Sequence, residues 1–387
     1  MTAPLLPYGR QTIEDDDIEA VAEALRGDFL TTGPRVDAFE TAFAEKVGAR
    51  HAVACANGTA ALHLAMLALD VRPGEVCIAP SITFLATANC ARYVGAEVVF
   101  ADVDPRTGLM TPDTLAEALT RVGDRRLRAV LPVHLRGDVA QLPALAALAQ
   151  GAGAVLVEDA PHALGSTMSF GDTRERVGDA RHSAMATFSF HPVKTIATGE
   201  GGMVTTHDDA LAGRLRMLRT HGMTRPEGAD PWIYEMAQPG FNYRLPDILC
   251  ALGLSQLSKL DRFAARRKAL AARYLAALKP LAPLVTPASR PDWSDPVLHL
   301  MVALIDFEAA GRTRRQVVDA LKARGVGTQV HYIPVHTQPY YRDRYGPLDL
   351  PGAQAWYETC LSLPLYPGMA EADVDRVVAA LSEVLGL

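Results

Sequence analysis

The strongest constraint on the fold is a regular alternation of short apolar runs with segments of helical periodicity between residues 50 and 206. The runs are continuously apolar rather than alternating in polarity, and they lie at 51–56, 76–80, 96–103, 128–134, 154–160, 184–190 and 202–206. Such strands are typical of a parallel sheet that helices cover on both faces. The sequence therefore predicts an α/β fold with right-handed crossovers, in which ligands bind at the carboxyl ends of the strands.

Helical patterns flank this region. Thr12 is expected to cap the first helix, and one long helix is expected from about Asp247 to Leu278. Within it, Arg262, Arg266, Arg267 and Lys268 are interpreted as a solvated face. Beyond it, a strand at 298–307, a helix capped by Thr313 and a final apolar helix form an α+β pattern. We predict a large domain over residues 1–265 and a small C-terminal α+β domain over residues 266–387.

Composition and charge exclude several classes of protein. The chain has 387 residues, a formal net charge of -6 and a pI near 6.0, so nucleic acid is not an expected partner. No uninterrupted apolar stretch is long enough to span a membrane, and the first residues do not resemble a secretory signal. The five cysteines are not spaced like a metal or redox motif. A cytoplasmic enzyme with no metal site is the expectation.

The segment FSFHPVKTIATGEGG, residues 188–202, carries the first candidate site residue. Lys194 follows the end of an apolar run, where burying an ammonium is costly. Such a lysine either extends its ammonium to solvent or serves in chemistry, and the segment alone leaves both readings open. Ser189 and the glycine-rich backbone are candidates to bind a phosphate.

The segment VLVEDAPHALGS, residues 155–166, brings Glu158 and Asp159 to the end of another predicted strand. The two acids are either solvated or capping residues, or one of them faces a cation at the sheet edge. A pyridoxal cofactor needs such a carboxylate, because the negative charge keeps its ring nitrogen protonated.

Two further turns follow predicted strands. In ACANGTAALHLAML (54–67), Gly58 and Thr59 open a helix whose N-terminus favours a phosphate, although Asn57 or Thr59 could simply cap it. In PSITFLATANC (80–90), Phe84 either belongs to the core or stacks on a planar ring. Each signal is weak alone, but all of them fit parts of one cofactor.

The ordered set TTGP, NGTAALHLA, TFLATAN, VEDAPHALGS, FSFHPVKTIATGEGG, FNYRL and QVHYIPVH resembles the DegT/StrS-type sugar aminotransferases. The resemblance extends from about Tyr8 to Leu385. It implies fold type I of the pyridoxal-phosphate-dependent transferases, which is the aspartate aminotransferase-like fold. This fold has a large, mainly parallel seven-stranded sheet domain and a small α+β domain.

The resemblance also implies a role for each matching residue. Lys194 matches the lysine that forms a Schiff base with pyridoxal 5'-phosphate and serves as the catalytic residue. Asp159 matches the acid at the ring nitrogen, His162 stands near the ring hydroxyl, and Phe84 stacks on the ring. The phosphate is bound at Gly58, Thr59, Ala60 and Ser189, and Asn242 reaches it from the second subunit of a homodimer with shared active sites.

Within the family, the motifs are most similar to those of UDP-sugar 4-aminotransferases of pseudaminic acid synthesis, which make UDP-4-amino-4,6-dideoxy-N-acetyl-β-L-altrosamine. The implied donor is L-glutamate, and the implied acceptor is a UDP-linked 4-keto-6-deoxy-N-acetylhexosamine. Sugar contacts are expected at Tyr8, Asp28, Phe29, Leu30, Thr31, Gln329, His331 and Tyr332. His336 is expected to contact the sugar diphosphate, since no third metal ligand accompanies His331.

Three alternatives stay open. The first is another nucleotide-sugar aminotransferase, of perosamine or 3-amino-sugar type. The second is a sugar dehydratase of the same fold, in which a histidine replaces the lysine, so Lys194 disfavours it. The third is a regulatory protein built on this fold, which the absence of a basic DNA-binding arm in the sequence disfavours.

Overall fold

The computed structural model describes residues 5–171 and 173–387. In chain order the helices are α1 (Asp15–Arg26), α2 (Pro34–Val47), α3 (Gly58–Ala68), α4 (Leu85–Tyr93), α5 (Pro112–Thr120), α6 (Leu142–Gly151), α7 (Asp209–Arg219), α8 (Asp247–Ser258), α9 (Leu260–Leu278), α10 (Arg314–Ala323), α11 (Pro339–Tyr345), α12 (Pro351–Thr359) and α13 (Glu371–Leu385). The strands are β1 (His51–Cys55), β2 (Val76–Pro80), β3 (Glu97–Ala101), β4 (Leu127–Val130), β5 (Val155–Asp159), β6 (Thr167–Phe170), β7 (Thr173–Arg176), β8 (Met185–Ser189), β9 (Gly202–Thr206), β10 (Met223–Thr224), β11 (Glu235–Met236), β12 (Val285–Pro287), β13 (Ser294–Asp295), β14 (Met301–Ile305) and β15 (Cys360–Leu363).

The large sheet has seven strands in the order β1-β9-β8-β5-β4-β2-β3. Its strands are the seven apolar runs of the sequence, so the predicted α/β fold is confirmed. Strands β8, β5, β4, β2 and β3 pair in parallel, whereas β9 is antiparallel to both of its neighbours, β1 and β8. The sheet is therefore mainly parallel, as predicted, with one reversed strand that joins β8 through a glycine-rich loop.

Two predicted helix caps have different outcomes. Thr313 caps α10, since its hydroxyl accepts from the backbone of Gln316 and completes a capping box, as predicted. The cap predicted at Thr12 is wrong, because α1 begins at Asp15 and Glu14 is its N-cap. There the carboxylate of Asp17, in the first turn of α1, accepts a hydrogen bond from the backbone N–H of Glu14 at 2.9 Å.

The prediction of one long helix from Asp247 to Leu278 is also wrong, because the structure divides the segment at Lys259 into α8 and α9. The ammonium of Lys259 turns back to the start of α1, where it lies 2.6 Å from Asp16 and 2.7 Å from Asp17. The carboxylate of Asp17 is fully buried. The junction therefore holds an acid that needs this cation.

The predicted solvated face is wrong at Arg267, whose side chain is fully buried on α9. Its Nη1 donates to the backbone carbonyls of Leu298, His299 and Leu365. Two of these carbonyls precede β14 and one follows β15, so the guanidinium links the ends of two neighbouring strands to α9. Periodicity alone did not reveal this role, because the partners are backbone atoms distant in sequence.

The C-terminal part of the chain has an apolar cluster of its own. A three-stranded antiparallel sheet, β12-β14-β15, packs with α9, α10 and α13, and the cluster includes Leu270, Tyr274, Leu321 and Leu381. The predicted domain boundary at residue 265 falls within the continuous helix α9. We retain as a proposal that a large and a small domain meet along this helix.

Across residues 5–171 and 173–387, no helix is both long and apolar enough to cross a membrane.

Candidate active site

One cavity of about 680 Å³ lies where the carboxyl ends of the sheet strands meet the C-terminal part of the chain. Its walls contain eleven of the residues predicted from the sequence: Tyr8, Gly58, Thr59, Phe84, Asp159, His162, Ser189, Lys194, Gln329, His331 and Tyr332. Because these residues come from segments scattered over the whole chain, the fold brings the separate sequence motifs to one place.

Lys194 enters the cavity from the loop between β8 and β9. Two backbone hydrogen bonds close this loop, from Phe190 to Gly201 at 2.8 Å and from Thr198 to Phe190 at 2.9 Å. Its side chain is half-buried and lines the cavity. Burial lowers the pKa of Lys194 to about 8, against the opposing attraction of the Asp159 carboxylate. At pH 7 about a tenth of the molecules then carry the neutral amine that a base or nucleophile needs, and at pH 8 about half do.

Asp159 ends β5 and faces the cavity, whereas its neighbour Glu158 faces the other side of the sheet. Burial raises the pKa of the Asp159 carboxyl, and the hydroxyl of Thr87 and the ammonium of Lys194 oppose that rise. Glu158 lies 3.0 Å from Nε2 of His134 and accepts a hydrogen bond from Ser183 at 2.6 Å. Only Asp159 is thus available to a ligand in the cavity, and Glu158 belongs to a buried polar cluster behind it.

The N-terminus of α3 and the end of β8 form a close-fitting corner of the cavity. A Cβ at Gly58 would lie 2.8 Å from Cβ of Ser189, so only glycine lets the serine approach the helix start this closely. Asn57 caps α3, because its Oδ1 accepts from the backbone N–H of Ala60 at 2.8 Å. Gly58, Thr59 and Ser189 line the cavity, whereas Ala60 is buried and its N–H is engaged by this cap.

His162 is held in one tautomer by two neighbours. Its Nδ1 accepts from the backbone N–H of Arg136 at 3.3 Å, so the ring proton is assigned to Nε2, which lies 3.2 Å from the hydroxyl of Tyr332. Burial lowers the pKa of His162 well below its usual value, and nearby Lys194 acts in the same direction. The imidazole is therefore neutral, and it presents a flat polar wall to the cavity.

Four of the predicted sugar-binding residues, Tyr8, Gln329, His331 and Tyr332, line the same cavity, as does Phe84, which is predicted to stack on the cofactor ring. The ring of Tyr8 lies 5.3 Å from that of His331, and the ring of Phe84 lies 6.1 Å from that of Tyr332. Nδ1 of His331 is fixed 2.8 Å from the hydroxyl of Ser362. Phe84 is 56% exposed, so its ring is free to contact a ligand rather than belonging to the core.

Other predicted residues lie outside this cavity. The loop Asp28–Thr31 and Asn242 are exposed on the surface of the chain. His336 does not line the cavity, and its Nδ1 lies 2.6 Å from the hydroxyl of Ser81, so its contact with a sugar diphosphate stays a prediction.

The sequence interpretation missed Thr83, Thr87 and His299, which also line the cavity. The two threonines stand four residues apart in TFLAT, the spacing of neighbours on a helix. His299 is buried with its ring 4.5 Å from that of His162, and its Nδ1 has no hydrogen-bond partner within the described residues. No local pattern distinguishes His299 from a core residue of a strand.

A metal site is not found in the described part of the chain, where no group of three or more histidine, cysteine, aspartate or glutamate residues could hold an ion.

Comparison with known proteins gives consistent matches along almost the whole chain. The sequence profile described as the DegT/DnrJ/EryC1/StrS aminotransferase family matches residues 11–382. The chain is 40% identical over 388 residues to the spore coat polysaccharide biosynthesis protein SpsC of Bacillus subtilis (strain 168), covering 98% of this chain and 97% of that protein.

Two solved proteins share the fold. Helicobacter pylori PseC, an aminotransferase involved in the biosynthesis of pseudoaminic acid, superposes with a TM-score of 0.90 at 28% identity, over 99% of each chain. Spr1654 of Streptococcus pneumoniae, a sugar aminotransferase by its description, is 26% identical in a PLP form (TM-score 0.88, covering 100% of this chain and 99% of that one) and in a PMP form (TM-score 0.89, 98% and 99%). These matches confirm the predicted transferase fold of type I.

Proposed function

The chain belongs to the DegT/DnrJ/EryC1/StrS aminotransferase family, and from that premise we propose that it transfers the amino group of L-glutamate to C4 of a UDP-linked 4-keto-6-deoxy-N-acetylhexosamine. Enzymes of this family are sugar aminotransferases that use pyridoxal 5'-phosphate, and this chain is one of them. The observation that carries the proposal is that a half-buried Lys194, whose pKa is lowered to about 8, and a buried Asp159 line the same cavity.

The residues of the cavity fit this cofactor. Lys194 would hold its carbonyl carbon, and Asp159 its ring nitrogen. The corner between Gly58 and Ser189, at the start of α3, would hold its phosphate, because a helix N-terminus favours an anion. When bound, the cofactor supplies an electron sink that stabilises negative charge on the reacting carbon.

Lys194 performs the proton transfers in this proposal. Its Nζ takes the proton from the amino-bearing carbon of the donor, and in the second half of the reaction it delivers a proton to the sugar carbon that receives nitrogen. Burial supports this role, because it lowers the pKa of Lys194 to about 8 and so brings the neutral amine within reach at mildly alkaline pH. His162, held neutral between Arg136 and Tyr332, orients bound ligands without adding a charge.

The proposed acceptor rests on the size and lining of the cavity and on the relatives. A cavity of about 680 Å³ is in the range of small-ligand sites, and Tyr8, Gln329, His331 and Tyr332 are among its lining residues. PseC, whose description names pseudoaminic acid biosynthesis, superposes over nearly the whole chain. We propose a cytoplasmic setting, which is consistent with five free, buried cysteines.

We further propose a homodimer with shared sites. Asn242 and the loop Asp28–Thr31 are exposed outside this chain's own cavity, which is the placement needed to reach the cavity of a second copy. Large apolar side chains, including Phe29, Leu30, Trp232 and Met236, are about half to three-quarters exposed. Apolar surface of this kind favours association.

A second candidate is a related aminotransferase that supplies another amino sugar for a polysaccharide. The observation that favours it is the sequence identity: the chain is 40% identical to SpsC, a spore coat polysaccharide biosynthesis protein, and 28% identical to PseC. Both candidates share the chemistry of Lys194 and differ only in the sugar nucleotide.

A direct assay separates the two candidates. Purified protein is incubated with pyridoxal 5'-phosphate, L-glutamate and a panel of UDP- and dTDP-linked keto sugars, and the products are identified by NMR. We expect amination at C4 of the UDP-linked 4-keto sugar, and no product from Lys194→Ala. Selective amination of a dTDP sugar or of a 3-keto sugar would favour the second candidate. No amination of any sugar would contradict both.

A further inference from the structure

The hydroxyl groups of Thr83 and Thr87 lie next to the carboxylate of Asp159, and the proposed function so far gives them no role. Thr87, on α4, donates a hydrogen bond to Oδ2 of Asp159. Oγ1 of Thr83, in the turn before α4, lies 2.6 Å from Oγ1 of Thr87. Both threonines are buried, and both line the cavity. The three side chains therefore form one continuous chain of hydrogen bonds along the cavity wall.

The direction of this chain follows from elementary chemistry. An ionised carboxylate only accepts, so the single proton of the Thr87 hydroxyl points to Asp159. Thr87 then has only lone pairs to offer to Thr83, so Thr83 donates to Thr87. Within the described residues, this is the one side-chain hydrogen bond that Asp159 accepts. The other carboxylate oxygen, Oδ1, accepts none from those residues and is the atom available to a ligand.

Among the described groups around Asp159, Thr87 is the one that donates a hydrogen bond to its carboxylate. The titratable groups that act on Asp159 or are acted on by it are Lys194, His134, Tyr332 and Cys90. Lys194 is the partner across the cavity, and His134 is 3.0 Å from Glu158, away from the Asp159 side chain. Burial raises the pKa of Asp159, so the charged form needs a hydrogen-bond donor at close range.

We propose that Thr83 and Thr87 form a directed hydroxyl chain that orients the Asp159 carboxylate and holds it in its charged form toward the ring nitrogen of the cofactor. Thr87 is then a positioning residue, and Thr83 a positioning residue one step further away. The inference rests on the proposed function, because the ring nitrogen belongs to the cofactor assigned there. It adds the prediction that the electronic state of the bound cofactor depends on a hydroxyl that need not touch it.

The test compares the holoenzyme with Thr87→Val, Thr87→Ser and Thr83→Val. Two quantities are measured: the pH titration of the absorbance of bound pyridoxal 5'-phosphate, and the Kd of the cofactor for the cofactor-free protein. In Thr87→Val the ring nitrogen of the cofactor is expected to lose positive charge. Since that charge disfavours a second proton on the nitrogen that links the cofactor to Lys194, its loss makes protonation of this linkage easier. We expect the titration midpoint to rise by about one pH unit and the Kd to increase about tenfold.

The remaining variants make the expectation specific. Thr87→Ser is expected to restore the wild-type titration, because it keeps the hydroxyl. Thr83→Val is expected to shift it in the same direction but less, because Thr87 still reaches Asp159. Thr205→Val is a matched control, since Thr205 is also fully buried and its hydroxyl donates to a backbone carbonyl, of Gly178, outside the cavity. It is expected to titrate as wild type.

The outcomes separate this inference from the proposed function. If Thr87→Val titrates and binds cofactor as wild type does, or if Thr87→Ser behaves like Thr87→Val, the hydroxyl chain is refuted. The proposed function survives that result as long as borohydride still fixes the cofactor to Lys194. A wild-type protein that takes up no cofactor refutes both. If Thr87→Val does not fold, Thr87→Cys replaces it, because a thiol donates only weakly and predicts an intermediate shift.

Discussion

At the scale of the residue, Lys194 is the only lysine or arginine among the described residues that line the cavity. Its pKa is about 8 in the folded protein, below the value near 10.4 of an unfolded chain. The folded protein therefore binds fewer protons than the unfolded chain between these two values, and its stability rises with pH across that window. Below pH 8, the buried charge has its full cost.

This cost can be measured in the cofactor-free protein. We expect Lys194→Met to be more stable than wild type at pH 7, by at most about 3 kcal/mol at roughly 1.4 kcal/mol per pKa unit. The advantage is expected to shrink as the pH rises above 8. Urea unfolding at several pH values measures it, with Lys322→Met on the exposed face of α10 as the control. If Lys194→Met is less stable than wild type at every pH, the charged form of Lys194 does not destabilise the folded protein.

Asp159→Asn tests the other half of the pair. An amide fills the same space but cannot keep the ring nitrogen charged, so we expect turnover to fall by about three to four orders of magnitude, as for other acids that fix a tautomer. Lys194 is intact in this variant, so borohydride is still expected to fix the cofactor to it. Turnover is followed by the consumption of glutamate. A loss of only a few fold would show that Asp159 does not face the ring.

At the scale of the element, the sequence predicted the large sheet well. Each of the seven strands lies in a mainly apolar run, because a strand buried on both faces carries mostly apolar residues. Lys194 and Asp159 could be located for a related reason, since polar residues at the end of a buried run stand out. Asp17, Lys259 and Arg267 could not be predicted, because their partners are distant in sequence and the local pattern looks solvated.

The corner between α3 and β8 supports a prediction on cofactor binding. In Gly58→Ala the new Cβ would lie 2.8 Å from Ser189 and force the serine away from the helix start. We expect the Kd for pyridoxal 5'-phosphate to rise at least about tenfold, which is the loss of about one hydrogen bond to a charged group. Gly213→Ala is the matched control, because its Cβ would meet nothing within 4 Å on α7. Equal affinities in the two variants would exclude this corner as the phosphate site.

The junction between α8 and α9 supports a prediction on stability. Lys259→Met leaves the fully buried Asp17 without its cation, and we expect a loss of about 3 to 5 kcal/mol in the free energy of unfolding. Lys268→Met is the control, because its pair with Asp295 is partly exposed and is worth less than about 1 kcal/mol. Similar losses in both variants, measured by urea unfolding, would argue against a special role for this junction.

At the scale of the whole molecule, the proposed shared site can be tested by mixing two defective proteins. Lys194→Ala and Asn242→Ala are prepared separately, then unfolded and refolded together. With random pairing, half of the dimers are mixed, and each of these has one site with an intact lysine and an intact partner asparagine. About a quarter of all sites are then wild type. Activity no higher than the mean of the two parents would show that Asn242 serves its own subunit.

The pairing of β1 with β9 has a consequence for the order of events at the ribosome. β1 lies at the edge of the large sheet and, in the part of the chain that the structure describes, pairs only with β9, which follows it by about 150 residues. At roughly 5 to 20 residues per second, about 7 to 30 s pass between the synthesis of the two strands. Throughout that time Val53 and its apolar neighbours have no strand to pair with. We therefore expect the nascent chain to be prone to aggregation until β9 has emerged, directly after the loop that carries Lys194.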